Sequence, residues 1–580
     1  MELAQNIYLE KILEYDDLFL DESFDIDTVL CNYSRELIVK SVNCLALTYE
    51  KAYIPSSNPF FSELTPKVRD LTYRFEQFRI RTKQDKICYC TQRTILELLR
   101  RTFAIPYESY LNNSEELIDF EYNLFKVLLK INQQLMSFKS ESKNEDITTL
   151  TFLLNFVLND VTNADWKSTF QTQIYYFDNL YFFLQSSSAG KFLLEKLCQQ
   201  LGVESIIEYK QTIFALISLY MDIKRKNPRV CPILDLSAID DLTGFLHENI
   251  CDYLSLDIKR NISYGEIDNS RENNVDYREF RSHPLVKISD HTYIIYNLPL
   301  LCERLYNSLF FDLKMLYKGD FFSYYNKEFI EHSLFHRSML SCLGKHTTTF
   351  FPSKESIMSI VPLPEKACDP DFYIREKDSI ILFECKGIKI NGQIKDKADI
   401  DEFINVLKNK LYLSSTNIDP NRRSKTKAEF VGISQLVNTI ELIEDDEFNY
   451  DTQIPMEISY YSVIIFEDPK LSQIGMMGLL NNWYKQLLLM RNLSEQVCNP
   501  IITMSISTLY LFSDKFRIFG FQNIFDEFIQ KNTDISGKIS PFADFDWYMR
   551  QRYQISVHIK NDFLKQTQML RSYNHSKYVS

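Results

Sequence analysis

The chain has 580 residues, 45% hydrophobic and 25% charged, with a formal net charge of −13; that balance excludes a disordered chain and predicts roughly two to four globular domains. Only 13 Gly and 17 Pro against 35 Tyr and 43 Phe argue against collagen-like, low-complexity and turn-dense all-β architectures and favour a mostly helical protein with large aromatic cores. The acidic balance argues against a surface that coats nucleic acid throughout, although ionic screening over about 8 Å leaves room for a local basic groove.

Nowhere do about 18 apolar residues follow one another, so no membrane span is expected. The N-terminus lacks the basic start and apolar run of a signal peptide, which predicts a cytoplasmic protein. Twelve cysteines are scattered without a CxxC pair, only Cys88 and Cys90 lying close together. Reduced, mostly buried thiols are expected, with neither a disulfide framework nor a zinc site.

From Met1 to about Ile250 apolar residues recur at three and four positions, as in Ile95, Leu98, Leu99 and Phe103 or Leu193, Leu194 and Leu197, which predicts helices. The aromatic run Tyr175, Tyr176, Phe177, Tyr181, Phe182 and Phe183 reads as helix-to-helix core in preference to a base-stacking surface. Polar segments at 137–146 and 256–281 read as connections, and the second sets a domain boundary. Beyond it, β-rich runs at 291–296, 347–351, 372–375, 380–385 and 460–467 are separated by helical patterns. The expected organisation is a mixed α+β chain: a large all-α N-terminal region at 1–280, an α/β domain at 281–515 and a helical C-terminal extension at 516–580.

The informative stretch begins Cys368-Asp369-Pro370-Asp371 and ends Glu384-Cys385-Lys386-Gly387. Two strands flank a polar turn, and pairing Arg375 with Ile380 extends residue for residue to set Asp371 opposite Glu384. Two carboxylates about 5 Å apart at the backbone destabilise a sheet unless positive charge lies between them. Alternation puts Glu384 and Lys386 on one face with Leu382, and Phe383 and Cys385 on the other. A hard divalent cation such as Mg²⁺ takes a few carboxylate oxygens, keeps several waters and makes a bound water easier to deprotonate, which is the chemistry of phosphate-ester hydrolysis.

Pro370-Asp371 followed by Glu384-Cys385-Lys386, with apolar residues before the glutamate, resembles the PD-(D/E)xK nucleases and their restriction-endonuclease-like fold. The likeness covers about 318–468: a helix over 320–343, the strands, a helix over 432–443 and an apolar strand, in the order αβββαβ. It implies that Asp371, Glu384 and the Cys385 backbone carbonyl hold Mg²⁺, with Mn²⁺ as a substitute, and that Lys386 orients the attacking water and neutralises charge on the phosphate. It also implies that a glutamate on the first helix completes the metal site. Glu328 and Glu331 are the candidates, and Glu331 is preferred because Leu334 and Phe335 turn that face toward the sheet. Some branches of the superfamily carry a glutamine on the following helix, where Gln435 stands; the tyrosine that one such branch has four residues later is Thr439 here.

Between Lys386 and Gln435 an insertion carries an amphipathic helix through Phe403, Leu407 and Leu411, then the cations Arg422, Arg423, Lys425 and Lys427. These either contact nucleic-acid phosphates or form a solvated loop. Other chemistries lack their residues. Gly190-Lys191 is followed by Phe192 and Gly344-Lys345 by His346, so neither makes a phosphate-binding loop. His332 and His336 have no intervening HExxH glutamate and read as surface or fold-supporting histidines.

The leading expectation is a metal-dependent nuclease, a DNA endonuclease first, with RNA left open as substrate. Its two-part architecture resembles nuclease effectors of prokaryotic anti-phage or restriction systems. Residues 1–280 would serve recognition, regulation or assembly, through a second copy or a partner protein. The alternative is a non-catalytic scaffold that binds nucleic acid or a partner on an inactive nuclease fold; the presence of Asp371, Glu384 and Lys386 together favours the enzyme.

Overall fold

Alternation along the strand Ser379–Lys386 organises the centre of the molecule. Ile381, Phe383 and Cys385 enter one core while Ile380 and Leu382 enter another, so both faces are apolar, as a strand covered by helices on both sides requires. In the computed structural model the described residues are 11–19, 24–48, 61, 64–83, 87–109, 117–135, 166–227, 231–238, 246–262, 277–351, 370–390, 392, 394, 400–414, 429–448, 450–534 and 538–561.

The strand lies in the middle of a five-stranded sheet with the order Ile502–Ser505, Ser459–Phe466, Ser379–Lys386, Phe372–Glu376, Thr347–Phe351. The last three strands pair antiparallel, and the first two join in parallel. The hairpin has the expected register, Arg375 opposite Ile380 and Phe372 opposite Phe383. Its two-residue turn places Lys377 at φ 51°. One face is covered by helices that include Tyr325–Phe335 and Phe521–Asn532, behind which Trp166–Gln185 and Ile206–Lys226 join the same core, and the other by Ile400–Leu411, Ile433–Glu444 and Met476–Met490.

The helix expected over 320–343 starts where the Asp320 carboxylate accepts from the Ser323 N–H at 3.1 Å. It runs through Phe321–Tyr324, a stretch of wide π-type turns over Tyr325–Phe335, and His336–Cys342. The aromatic run on Trp166–Gln185 is core in its first half, where Tyr176 and Phe177 are buried and the Tyr175 ring stacks on Tyr510 at 3.9 Å; Tyr181 and Phe183 are partly buried and Phe182 is exposed, because the described residues leave that side of the helix end uncovered.

Three expectations need correction. The N-terminal region is not all-α. Ile233–Asp235 and Ser255–Asp257 join Thr292–Ile295 and Leu285–Ser289 in a four-stranded sheet, and Lys11–Ile12 pairs in parallel with Ile87–Cys88. Runs of two or three residues are too short to show a period, which is why the sequence reads as helical there.

The packing also does not divide at residue 280. One core joins Leu13 through Ile131 to Leu256 through Leu300, whereas the helices of 166–226 share a core with the five-stranded sheet. The helix Leu298–Glu303 serves both, with Leu300 in the first core and Leu298 and Leu301 in the second. Finally, the C-terminal helices are no extension: Phe521, Phe525, Phe528 and Phe545 fill the sheet core. Among the described residues the cysteines are free thiols, and no helix is long and apolar enough to cross a membrane.

Candidate active site

The hairpin brings Asp371 and Glu384 together through its register, and their surroundings go further than the register alone. Asp371 lies one residue before its strand, and its Oδ2 accepts from the Cys385 backbone N–H at 2.7 Å. In an antiparallel pair the N–H and C=O of one residue point to the same side, so the Cys385 carbonyl also faces the Asp371 end of the hairpin. Extending the register puts Pro370 opposite Cys385, and a proline has no N–H to return to that carbonyl. The Pro370-Asp371 dipeptide thereby leaves a backbone oxygen beside two carboxylates.

Glu384 is fully buried, and neither of its oxygens receives a well-directed hydrogen bond. Its nearest cation is the Lys386 ammonium, 2.5 Å from Oε1. Burial first, and then the Asp371 charge, push the Glu384 carboxyl up to about 8, with Lys386 and Asp371 opposing each other. Glu331 is pushed up to about 7, again by burial and then by Asp371, with Lys386 pulling the other way. For Lys386, burial alone would lower its affinity for a proton, but Glu384, Asp371 and Glu331 together outweigh it and hold the ammonium charged. Three carboxylates thus share one ammonium, an excess of negative charge in a buried place that a proton or a cation must balance.

The two helix glutamates part company. Glu331 is mostly buried and in the electrostatic field of Asp371 and Lys386, as preferred. Glu328 is 46% exposed and lies 3.7 Å from His332. His336 supports the fold at the site itself: its Nε2–H donates to the Asp371 backbone carbonyl at 3.3 Å, and burial holds the imidazole below its ordinary value. Gln435 has a local task. Its Oε1 accepts from the Gly432 N–H at 2.8 Å and closes the first turn of Ile433–Glu444. Arg422, Arg423, Lys425 and Lys427 lie outside the described residues.

Among the described residues no three His, Cys, Asp or Glu side chains converge closely enough to hold a metal ion. A magnesium ion does not need three, since it commonly binds through one or two carboxylates and keeps its waters. The donor set here is all hard oxygen, and the buried Glu384 carboxylate has only the Lys386 ammonium beside Oε1 and, among the described residues, no hydrogen bond of good geometry on either oxygen. These residues fit a hard divalent cation.

Sequence reasoning missed Glu467, Lys389 and the tyrosines around them, which crowd the same edge of the sheet. No spacing announces them, because they come from four separate segments. Comparison with protein-family models, with curated proteins and with solved structures finds no match for this chain.

Proposed function

We propose that the protein is a metal-dependent nuclease that hydrolyses phosphodiester bonds, DNA being the first substrate to try, with an active site of the PD-(D/E)xK kind at Asp371, Glu384 and Lys386. The observation that carries this reading is Glu384: a fully buried carboxylate facing a second carboxylate, with one ammonium, Lys386, beside Oε1 and no donor on Oε2 among the described residues. Such a group costs stability and persists where a bound cation completes it.

Asp371, Glu384 and the Cys385 carbonyl would hold Mg²⁺, or Mn²⁺ in its place, which supplies Lewis acidity and a more acidic bound water. Lys386 carries a fixed positive charge beside that pair and would neutralise charge developing on the phosphate. Glu331, pushed up to about 7, exchanges its proton near neutral pH, where a group that accepts a proton from an attacking water is most useful. Sheet geometry supports the placement, because ligands of sheets with parallel strands bind beyond the carboxyl ends, where Glu384 and Lys386 stand.

The experiment is cleavage of circular and linear duplex DNA, single-stranded DNA and RNA by the intact protein and by Glu384→Ala, in Mg²⁺, Mn²⁺ and chelator. Metal-dependent cleavage that vanishes in the variant supports the reading, and cleavage that survives it places the chemistry elsewhere. Silence on every substrate, together with Mn²⁺ binding that is equal in wild type and variant, favours a non-catalytic scaffold.

A further inference from the structure

At the carboxyl edge of the sheet a second buried carboxylate stands beside the first. Glu467 follows Ser459–Phe466, the strand paired in parallel with Ser379–Lys386 so that Phe466 lies beside Lys386. The Glu467 backbone N–H donates to the Lys386 carbonyl at 3.3 Å. Its side chain, 1% exposed, accepts from Lys389 Nζ at 2.6 Å and from the Tyr306 hydroxyl at 3.2 Å. Tyr306 in turn accepts from the hydroxyl of Tyr325, the first residue of the π-type stretch that carries Glu331. The direction of this relay follows from the carboxylate: an ionised Glu467 only accepts, so Tyr306 must donate to it and keeps its oxygen for Tyr325.

One carboxylate therefore ties together three segments that are distant in sequence. They are the continuous stretch from Lys386 to Lys389, the segment bearing Tyr306, and, through Tyr306, the helix bearing Glu331. The Lys389 ammonium lies 5.7 Å from the centre of the Phe310 ring, and Tyr176 meets Tyr306 edge-on at 5.0 Å, so the polar groups are walled by aromatic rings. Close approach of helix and strand is built in as well. A Cβ at Gly387 would meet the Asn326 side-chain amide at its Oδ1, so any larger residue after Lys386 would make that side chain turn aside.

We infer that Glu467 is a positioning residue that fixes Lys386 and Glu331 relative to each other, acting through Lys389, Tyr306 and Tyr325. The inference rests on the reading of Asp371, Glu384 and Lys386 as the active site, but its mechanical half can be tested without any activity. Loss of the Lys389 ion pair frees the 387–389 connection, and loss of the Tyr306 contact frees the helix. Both displace groups that must be held to within a fraction of an ångström for phosphoryl chemistry.

The test uses the full chain as wild type, Glu467→Gln, Tyr306→Phe, Lys389→Met and Lys389→Arg. Amide hydrogen exchange followed by mass spectrometry reads residues 325–335 and 386–389 against the hairpin strand Phe372–Glu376. In Glu467→Gln, exchange should rise by about tenfold or more in both segments and stay unchanged in the hairpin. Tyr306→Phe, which removes a single hydroxyl, should raise exchange in 325–335 alone.

In cleavage assays Glu467→Gln and Lys389→Met should lose kcat by about 10²-fold with KM held within about twofold, and Lys389→Arg should restore most of it. Wild-type exchange in both segments of Glu467→Gln and Lys389→Met overturns the inference, as does full kcat in Lys389→Met. Raised exchange in a protein whose wild type cuts nothing instead removes the nuclease reading and leaves Glu467 as the clamp between the two segments.

Discussion

Two buried glutamates, each paired with a part-buried lysine, stand close together at one edge of the sheet, and their difference is instructive. Glu384 and Lys386 are 2.5 Å apart, Glu467 and Lys389 2.6 Å; both carboxylates are essentially unexposed. The Glu467 pair is complete, with a lysine and a tyrosine hydroxyl both donating to the carboxylate. The Glu384 pair is not. Its carboxylate lacks a directed donor and faces two further acids. Burial alone therefore does not mark function at this edge. What separates the pairs is whether the protein satisfies the charge itself or leaves it for something that binds.

Catalysis is where the comparison should break most widely. On the proposed function, Lys386→Met should lower Mg²⁺-dependent DNA cleavage by about 10³-fold, since its cation is fixed beside Glu384, and Glu384→Ala should do at least as much. Steady-state kinetics on circular DNA reads both. Equal activity in Lys386→Met and wild type would put the reactive group elsewhere.

Stability should separate the pairs by sign. Denaturant unfolding in chelator at pH 8 should find Glu467→Ala less stable by about 1–2 kcal/mol, because it removes the carboxylate that a part-buried Lys389 and the Tyr306 hydroxyl donate to. Glu384→Gln should be more stable than wild type by about 1–2 kcal/mol, since it removes one of three crowded acids. Destabilisation of similar size in both variants would erase the distinction.

A pH series sharpens the same point. Glu384 and Glu331 hold protons more tightly folded than unfolded, so between about 4.5 and 8 the folded chain binds more protons than the unfolded one. The stability they contribute is complete below about 4.5 and is lost as pH rises through 7 and then 8. Metal-free protein should therefore lose stability across this range. The slope should flatten in Glu384→Gln, and stabilisation by added Mg²⁺ should grow with pH because the ion competes with those protons. A metal-free stability that rises toward pH 8 would contradict the crowding of these acids.

The smallest effects are expected at Gln435 and Glu328, two residues singled out from the sequence that the structure leaves outside the cluster. Gln435→Ala should cost about 1 kcal/mol through loss of its helix-closing bond and leave kcat within about threefold. Glu328→Gln should change cleavage even less, while Glu331→Gln should lower it by about tenfold or more. A large loss in Gln435→Ala would bring its side chain back into the chemistry.

Much of the sheet was readable along the chain. The run from Phe372 to Lys386 alternates cleanly and brackets a short polar turn, so register and facing residues follow from local rules. The preference for Glu331 over Glu328 also rested on a local cue, the apolar Leu334 and Phe335 beyond it, which are buried on the sheet side. Ile502–Ser505 was missed because four residues flowing directly into the helix Ile506–Leu511 show no period of their own. The N-terminal sheet escaped for a related reason. Its outer strands, Ile233–Asp235 and Ser255–Asp257, are defined by partners near residue 290 rather than by their own pattern.

The sequence by itself determined the mixed helical and β character, the hairpin, and the confrontation of Asp371 with Glu384, because each depends on neighbours a few residues apart. Tertiary structure alone decided that the helices of 166–226 join the sheet core, that Gln435 turns to its own helix, and that Glu467 gathers residues 306, 325, 386 and 389 around one charge. The physical reason is that periodicity encodes which face of an element is buried but not which other element covers it. A buried charge finds its partners only after those faces have met.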